Sequence, residues 1–242
     1  MNKAIALLVG LKKVDPNAAE YSAMGERREG ISGSELDANN MERLLLNHGG
    51  FIIHKLLTQQ ATGKSILDNI DLAASSLNNG DLFFFFFSGH GDQIKDENGD
   101  EADHLDEALA AYDRRIIDDE LPPIWAKFRP GVRILMISDT CNSGTIFRGQ
   151  IPPRADGFAL EAPLQIKASL IHIAATRDHS DTLGNANGSV FTNALLEAWN
   201  NGSFQGDYNE FLGQVKKIIS DPILSQEGPN VAAFVGERPF TV

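Results

Sequence analysis

The chain has one cysteine in 242 residues, so no intramolecular disulfide can form and nothing requires an oxidising compartment. Basic charge is scarce too. Against 33 Asp and Glu stand only 21 Lys and Arg, a net charge of −12. That excludes the basic stripe of a nucleic-acid binder and suits a cationic partner. No apolar stretch approaches the roughly 20 residues of a membrane helix. The first apolar run, Ala4 to Gly10, leads into Leu11, Lys12 and Lys13 rather than into a small-residue cleavage site. It therefore reads as a strand and not as a signal peptide. A cytoplasmic protein with neither a nucleic-acid nor a membrane partner is expected.

What is present is a hydrophobic content of 42%, ample for a sizeable core in a chain of this length. Ala4 to Gly10 and Phe51 to Leu57 read as strands. Five consecutive phenylalanines, Phe83 to Phe87, suit a central parallel strand covered on both faces. Val132 to Ile137 and Ser169 to Ala174 are two more strands, and Val231 to Val235 reads as a last short one. Helical spacing covers Leu36 to Leu45, with Ser34 as its cap, and also Ala61 to Leu77, Val190 to Trp199 and Tyr208 to Ile219. Acidic residues 92 to 107 read as loop, and Asp118 to Leu121 as the start of a short helix. This alternation predicts an α/β protein with one mostly parallel central sheet flanked by helices on both faces.

Two strands end abruptly in polar turns. Phe83 to Phe87 runs into Ser88-Gly89-His90-Gly91, and Val132 to Ile137 into Ser138-Asp139-Thr140-Cys141-Asn142-Ser143-Gly144. In a parallel sheet these ends share one edge, the edge where ligands bind. A histidine beside a thiol favours the reactive thiolate. Gly89, Gly91 and Gly144 permit close backbone approach, and the backbone N–H groups of Gly91 and Cys141 are natural oxyanion donors. From residue types alone, buried packing remains a competing account of Cys141.

These turns carry a resemblance. Phe87-Ser88-Gly89-His90-Gly91 with Asp139-Thr140-Cys141-Asn142-Ser143-Gly144 resembles the paired signature of the caspase-like cysteine peptidases, family C14. The metacaspase and orthocaspase branch is nearest, its motifs reading roughly YSGHG and DSCHSG. A histidine about 50 residues ahead of the cysteine fits the caspase spacing. Residues 31 to 41 resemble the family's early GCxNDA segment, and Phe191 to Leu196 and Ser225 to Asn230 resemble its C-terminal region. The resemblance implies the caspase–hemoglobinase fold and peptide-bond hydrolysis by a His90–Cys141 dyad. It also implies a first specificity pocket at Ser34, Asp37, Ser88 and Asp139 that takes Arg or Lys. Asp139 stands two positions before Cys141, where alternation places both on one strand face.

One chain-wide domain is expected: a larger part, residues 1–144, with the dyad; a linker, 145–167; and a smaller part, 168–242. By resemblance the linker is a site of self-cleavage, with Arg148, Arg154 and Lys167 as candidates, although an ordinary surface loop explains these residues equally well. Calcium-dependent relatives bind through acids matching Asp106, Asp118 and Asp119 and one acid shortly after the cysteine. No acid occurs between Cys141 and Arg154, so weak or no calcium dependence and no required cofactor are expected, with Asp106, Asp118 and Asp119 as the candidate ligands for any calcium. The expected partners are protein or peptide substrates with Arg or Lys at the cleaved bond, acted on by a monomer. Two other readings compete. One is an idle caspase-fold interaction module. The other is a Rossmann-type nucleotide binder, disfavoured because Val9 to Lys13 lacks a Gly-rich turn.

Overall fold

A computed structural model of the chain describes residues 2–23, 31–95, 104–140, 146, 165–175, 187–220 and 222–242. In chain order its main elements are β1 (Ala4–Gly10), α1 (Ala19–Ala23), α2 (Ser34–His48), β2 (Phe51–Leu57), α3 (Gly63–Ser76) and β3 (Leu82–Ser88). Then come β4 (Gly91–Lys95), β5 (Leu105–Ala110), β6 (Arg115–Ile117), α4 (Pro122–Trp125) and β7 (Arg133–Asp139). The C-terminal part holds β8 (Ser169–Ala174), α5 (Val190–Trp199), α6 (Tyr208–Val215), β9 (Ile223–Glu227) and α7 (Val231–Val235).

Among the described residues one sheet runs in the order β2-β1-β3-β7-β8-β9, parallel throughout except for the antiparallel β8–β9 pair. The phenylalanine strand β3 lies inside it, and all five rings are fully buried. Alternation sends them to two cores. Phe83, Phe85 and Phe87 pack with Ile66 and Ile70 of α3 and with Trp125 and Phe128. Phe84 and Phe86 pack with Met41 and Leu45 of α2, Phe191 and Leu195 of α5, and Phe211 of α6. Two covered faces are why this strand tolerates no polar residue until its last position.

Three expectations are corrected. Residues 92 to 107 are not simply loop: β4, β5 and β6 form a separate antiparallel sheet. Its charges hide the strand pattern because they are neutralised inside, with Arg115 Nε 2.6 Å from Asp92 Oδ2 and Arg115 Nη1 3.0 Å from Glu20. Val231 to Val235 is a helical turn and not a strand. Asn230 at φ 59° starts it, and Val231, Phe234 and Val235 meet the core at helical spacing. The last strand is instead β9, which pairs against β8. Ser34 does not cap α2, which begins after Gly33; Ser34 is the first helical residue.

Candidate active site

The sheet delivers its polar residues by the same alternation that sorts the phenylalanines. Along β3, Phe84 and Phe86 are followed on their face by Ser88; along β7, Leu135 and Ile137 are followed by Asp139. The pairing register sets Ser88 directly beside Asp139, and Gly10 of β1 beside Ser88. Helix α2 lies over this edge because β1 ends in a glycine: a Cβ on Gly10 would stand 2.5 Å from the Ser34 carbonyl oxygen. The first turn of α2 thus brings Ser34 and Asp37, three residues apart on one helix face, against the strand ends.

All four pocket residues expected from sequence are buried: Ser34, Asp37, Ser88 and Asp139. Ser88 Oγ donates to Asp37 Oδ2 at 3.0 Å. The Ser34 hydroxyl has no hydrogen-bond partner among the described residues. Two residues that sequence reasoning missed hydrogen-bond to these acids. Ser189, the N-cap of α5, donates its backbone N–H to Asp37 Oδ1 at 2.9 Å and its hydroxyl to Asp139 Oδ2. Thr192 Oγ1 donates to the same Asp139 oxygen at 2.6 Å. Burial pushes the Asp139 carboxyl up to about 7, helped by the negative charge of Asp37, while the Ser189 and Thr192 hydrogen bonds oppose the rise. Burial also raises Asp37, against the Ser189 N–H and the Ser88 hydroxyl.

His90 stands between the end of β3 and the start of β4, half-buried, with its Nε2 inside. Its carbonyl accepts the N–H of Ala110 at 3.0 Å, and the Gly89 N–H reaches the Asp139 carbonyl at 3.3 Å. The histidine turn is thereby tied to β5 on one side and to the end of β7 on the other. Gly91 opens β4 opposite Leu109. Cys141 lies outside the described residues; the chain is followed as far as Thr140, which is buried at the same edge. On the opposite face of β7, Ser138 Oγ and His172 Nε2 of β8 are in hydrogen-bond contact at 2.6 Å, both buried.

Asp106 and Asp118 are buried and Asp119 is half-buried; Asp118 Oδ1 accepts the Asp119 N–H at 3.1 Å. Among the described residues no three acidic, histidine or cysteine side chains gather around a common ion position. Arg148 and Arg154 lie outside the described residues, and Lys167 is exposed just ahead of β8. No described helix is long and apolar enough to cross a membrane.

Known proteins agree with this architecture. A solved protein of Geobacter sulfurreducens superposes with a TM-score of 0.82 at 32% identity, covering 99% of each chain. The mostly parallel sheet with helices on both faces is a caspase-like fold. Metacaspase-1 of Schizosaccharomyces pombe is 30% identical over 194 residues, which is 72% of this chain and 45% of the relative. Metacaspase-1 of Botryotinia fuckeliana is 41% identical over 157 residues, 59% of this chain and 35% of the relative. Metacaspase-3 of Arabidopsis thaliana is 39% identical over 132 residues, 48% and 36% of the respective chains. The chain thus spans less than half the length of these relatives. The family profile described as "Metacaspase, peptidase C14 domain" matches residues 6–149, from the first strand through both signature turns. With that match, and with the acids and the histidine of its motifs meeting at one sheet edge, the chain belongs to the metacaspase family of C14 peptidases.

Proposed function

We propose that this protein is a cysteine endopeptidase that cleaves after Arg or Lys. The observation that carries the reading is the buried pair Asp37 and Asp139, meeting beside the turn that bears His90. Two carboxyl groups inside one pocket are repaid by a cationic guest. The buried Ser34 hydroxyl, which lacks a hydrogen-bond partner among the described residues, supports it further, since leaving such a group unmade costs roughly 1–3 kcal/mol.

In the proposed reaction the Cys141 thiolate attacks the scissile carbonyl carbon. The backbone N–H groups of Gly91 and Cys141 hold the developing oxyanion. The His90 imidazolium protonates the leaving amine as the C–N bond breaks, leaving an acyl-enzyme. Neutral His90 then takes a proton from water, whose oxygen attacks the thioester and regenerates the thiolate and the imidazolium. Residues 1–144 supply the dyad and both acids, residues 168–242 close the pocket, and the basic residues of 145–167 are targets for self-cleavage. The protein acts as a cytoplasmic monomer and needs no calcium.

Hydrolysis of fluorogenic peptides ending in Arg, Lys or Asp tests this, with wild type and Cys141→Ala assayed in excess chelator. Arg and Lys peptides are turned over by wild type alone. Turnover of only the Asp peptide overturns the specificity, and equal rates in Cys141→Ala overturn the nucleophile. Activity that appears only with added calcium removes the calcium independence and leaves the peptidase reading standing.

A further inference from the structure

We propose that Ser189 and Thr192, at the N-terminus of α5, are positioning residues that hold Asp37 and Asp139 as one acceptor for a basic side chain. The proposal rests on the Arg/Lys reading above and assigns control of the charge on Asp37 and Asp139 to residues of the C-terminal part.

Ser189 touches both acids at once, through its N–H to Asp37 Oδ1 at 2.9 Å and its hydroxyl to Asp139 Oδ2. Thr192 adds a second hydroxyl on the same Asp139 oxygen at 2.6 Å, and its backbone N–H is satisfied by Ser189 Oγ at 2.8 Å. Both residues are buried with the acids they hold. The approach depends on Gly188, whose φ is +90°; a Cβ there would stand 2.5 Å from Asp37 Oδ1.

Burial and mutual repulsion both favour proton uptake by these carboxyls. The opposing influences are donors that prefer the ionised form, and for Asp139 the donating side chains among the described residues are Ser189, the cap of α5, and Thr192 in its first turn. For Asp37 they are the Ser189 N–H and the Ser88 hydroxyl. The positive end of a ten-residue helix works in the same direction. Removing a hydroxyl therefore has two effects: it frees a carboxyl to rotate and it lets the pocket take up a proton. A cationic side chain then loses its partner, while the thiol chemistry at the neighbouring turn is untouched.

The test compares peptides ending in Arg with peptides ending in citrulline, which has the same shape without the charge. Wild type is measured beside Ser189→Ala, Thr192→Val and the conservative Ser189→Thr and Thr192→Ser. Expected is a rise in KM for the Arg peptide of roughly tenfold in Ser189→Ala and Thr192→Val, with kcat within about twofold and the Arg-over-citrulline preference falling alongside. The Ser and Thr exchanges keep most of the wild-type preference. An unchanged preference in both Ser189→Ala and Thr192→Val overturns the assignment and leaves the Arg/Lys reading intact. Equal losses of kcat on both peptides mean a merely structural role and also overturn it. A wild type that cleaves peptides without preferring Arg overturns the pocket reading and this assignment together. Should Thr192→Val not fold, Ser189→Ala and Thr192→Ser carry the comparison.

Discussion

Asp139 is the residue on which protonation and the proposed specificity meet. Its carboxyl is raised to about 7, above the value of about 4 it has in an unfolded chain. Between these values the unfolded state loses its proton while the folded state keeps it. This group's contribution to stability therefore falls as pH rises from about 4 to 7 and stays at its lower level above that. Asp139→Asn is expected to flatten this part of the curve and to gain roughly 2–4 kcal/mol over wild type at pH 8 relative to pH 4, read by urea midpoints. On the proposed Arg/Lys reading recognition runs the other way, since an ionised carboxyl is needed to bind a cation. The Arg-over-citrulline ratio of kcat/KM in wild type should drop between pH 8 and pH 6. A ratio indifferent to pH would separate Asp139 from recognition. The four residues expected from sequence to line a pocket, Ser34, Asp37, Ser88 and Asp139, are all buried at one sheet edge, because each stands at a strand end or in a first helical turn. The sequence did not reveal Ser189 and Thr192 as their partners. Ser189-Val190-Phe191-Thr192 carries only the local mark of a helix cap, and a cap says nothing about which acid lies across from it.

At the scale of elements, the histidine turn is braced by a sheet that the sequence concealed. Arg115 on β6 reaches Asp92, two residues beyond His90, and Glu20 on α1, and its guanidinium lies 5.1 Å from the centre of the Tyr21 ring. Both Arg115 and Asp92 are buried, so the pair ties β6 to β4 two residues beyond His90, and Glu20 adds α1 to the same guanidinium. Arg115→Met strips the cation from a buried carboxylate and should cost roughly 3–5 kcal/mol, read as a lower thermal midpoint. Adding Asp92→Asn to it should recover part of that loss. If Arg115→Met is as stable as wild type, the ion pair contributes nothing to the brace. Strands dense in Asp, Glu and Lys defeat a reading by hydrophobic period. Their burial is made tolerable by partners far away in sequence, Glu20 and Asp92 for Arg115. The reverse error occurred at Val231 to Val235, where β-branched residues suggest a strand. Asn230 in a left-handed conformation and the packing of Phe234 on Tyr208, ring centres 5.3 Å apart, make it a helical turn.

Across the whole molecule the two parts on either side of residues 145–167 share one sheet, and Ser189 and Thr192 of the second hydrogen-bond to Asp37 and Asp139 of the first. β7 and β8 pair in parallel from Arg133 beside Ser169 to Ser138 beside Ala174, and α5 packs its apolar face into the same core as α2. A chain cut within 148–164 by an inserted protease site should therefore elute from a sizing column as one species without denaturant and keep the proposed Arg preference. Separation of the fragments would mean that the shared sheet does not hold them. The sequence by itself determined the α/β class, the central phenylalanine strand, and the abrupt polar ends of β3 and β7 that meet at one sheet edge. Those depend on run length and on local changes from apolar to polar residues, which are properties of neighbouring positions. Only the tertiary structure decided that Asp37 and Asp139 meet under Ser189 and Thr192, and that Arg115 braces the turn of His90. These contacts join residues that strand order and register bring together, and neither can be read from local pattern.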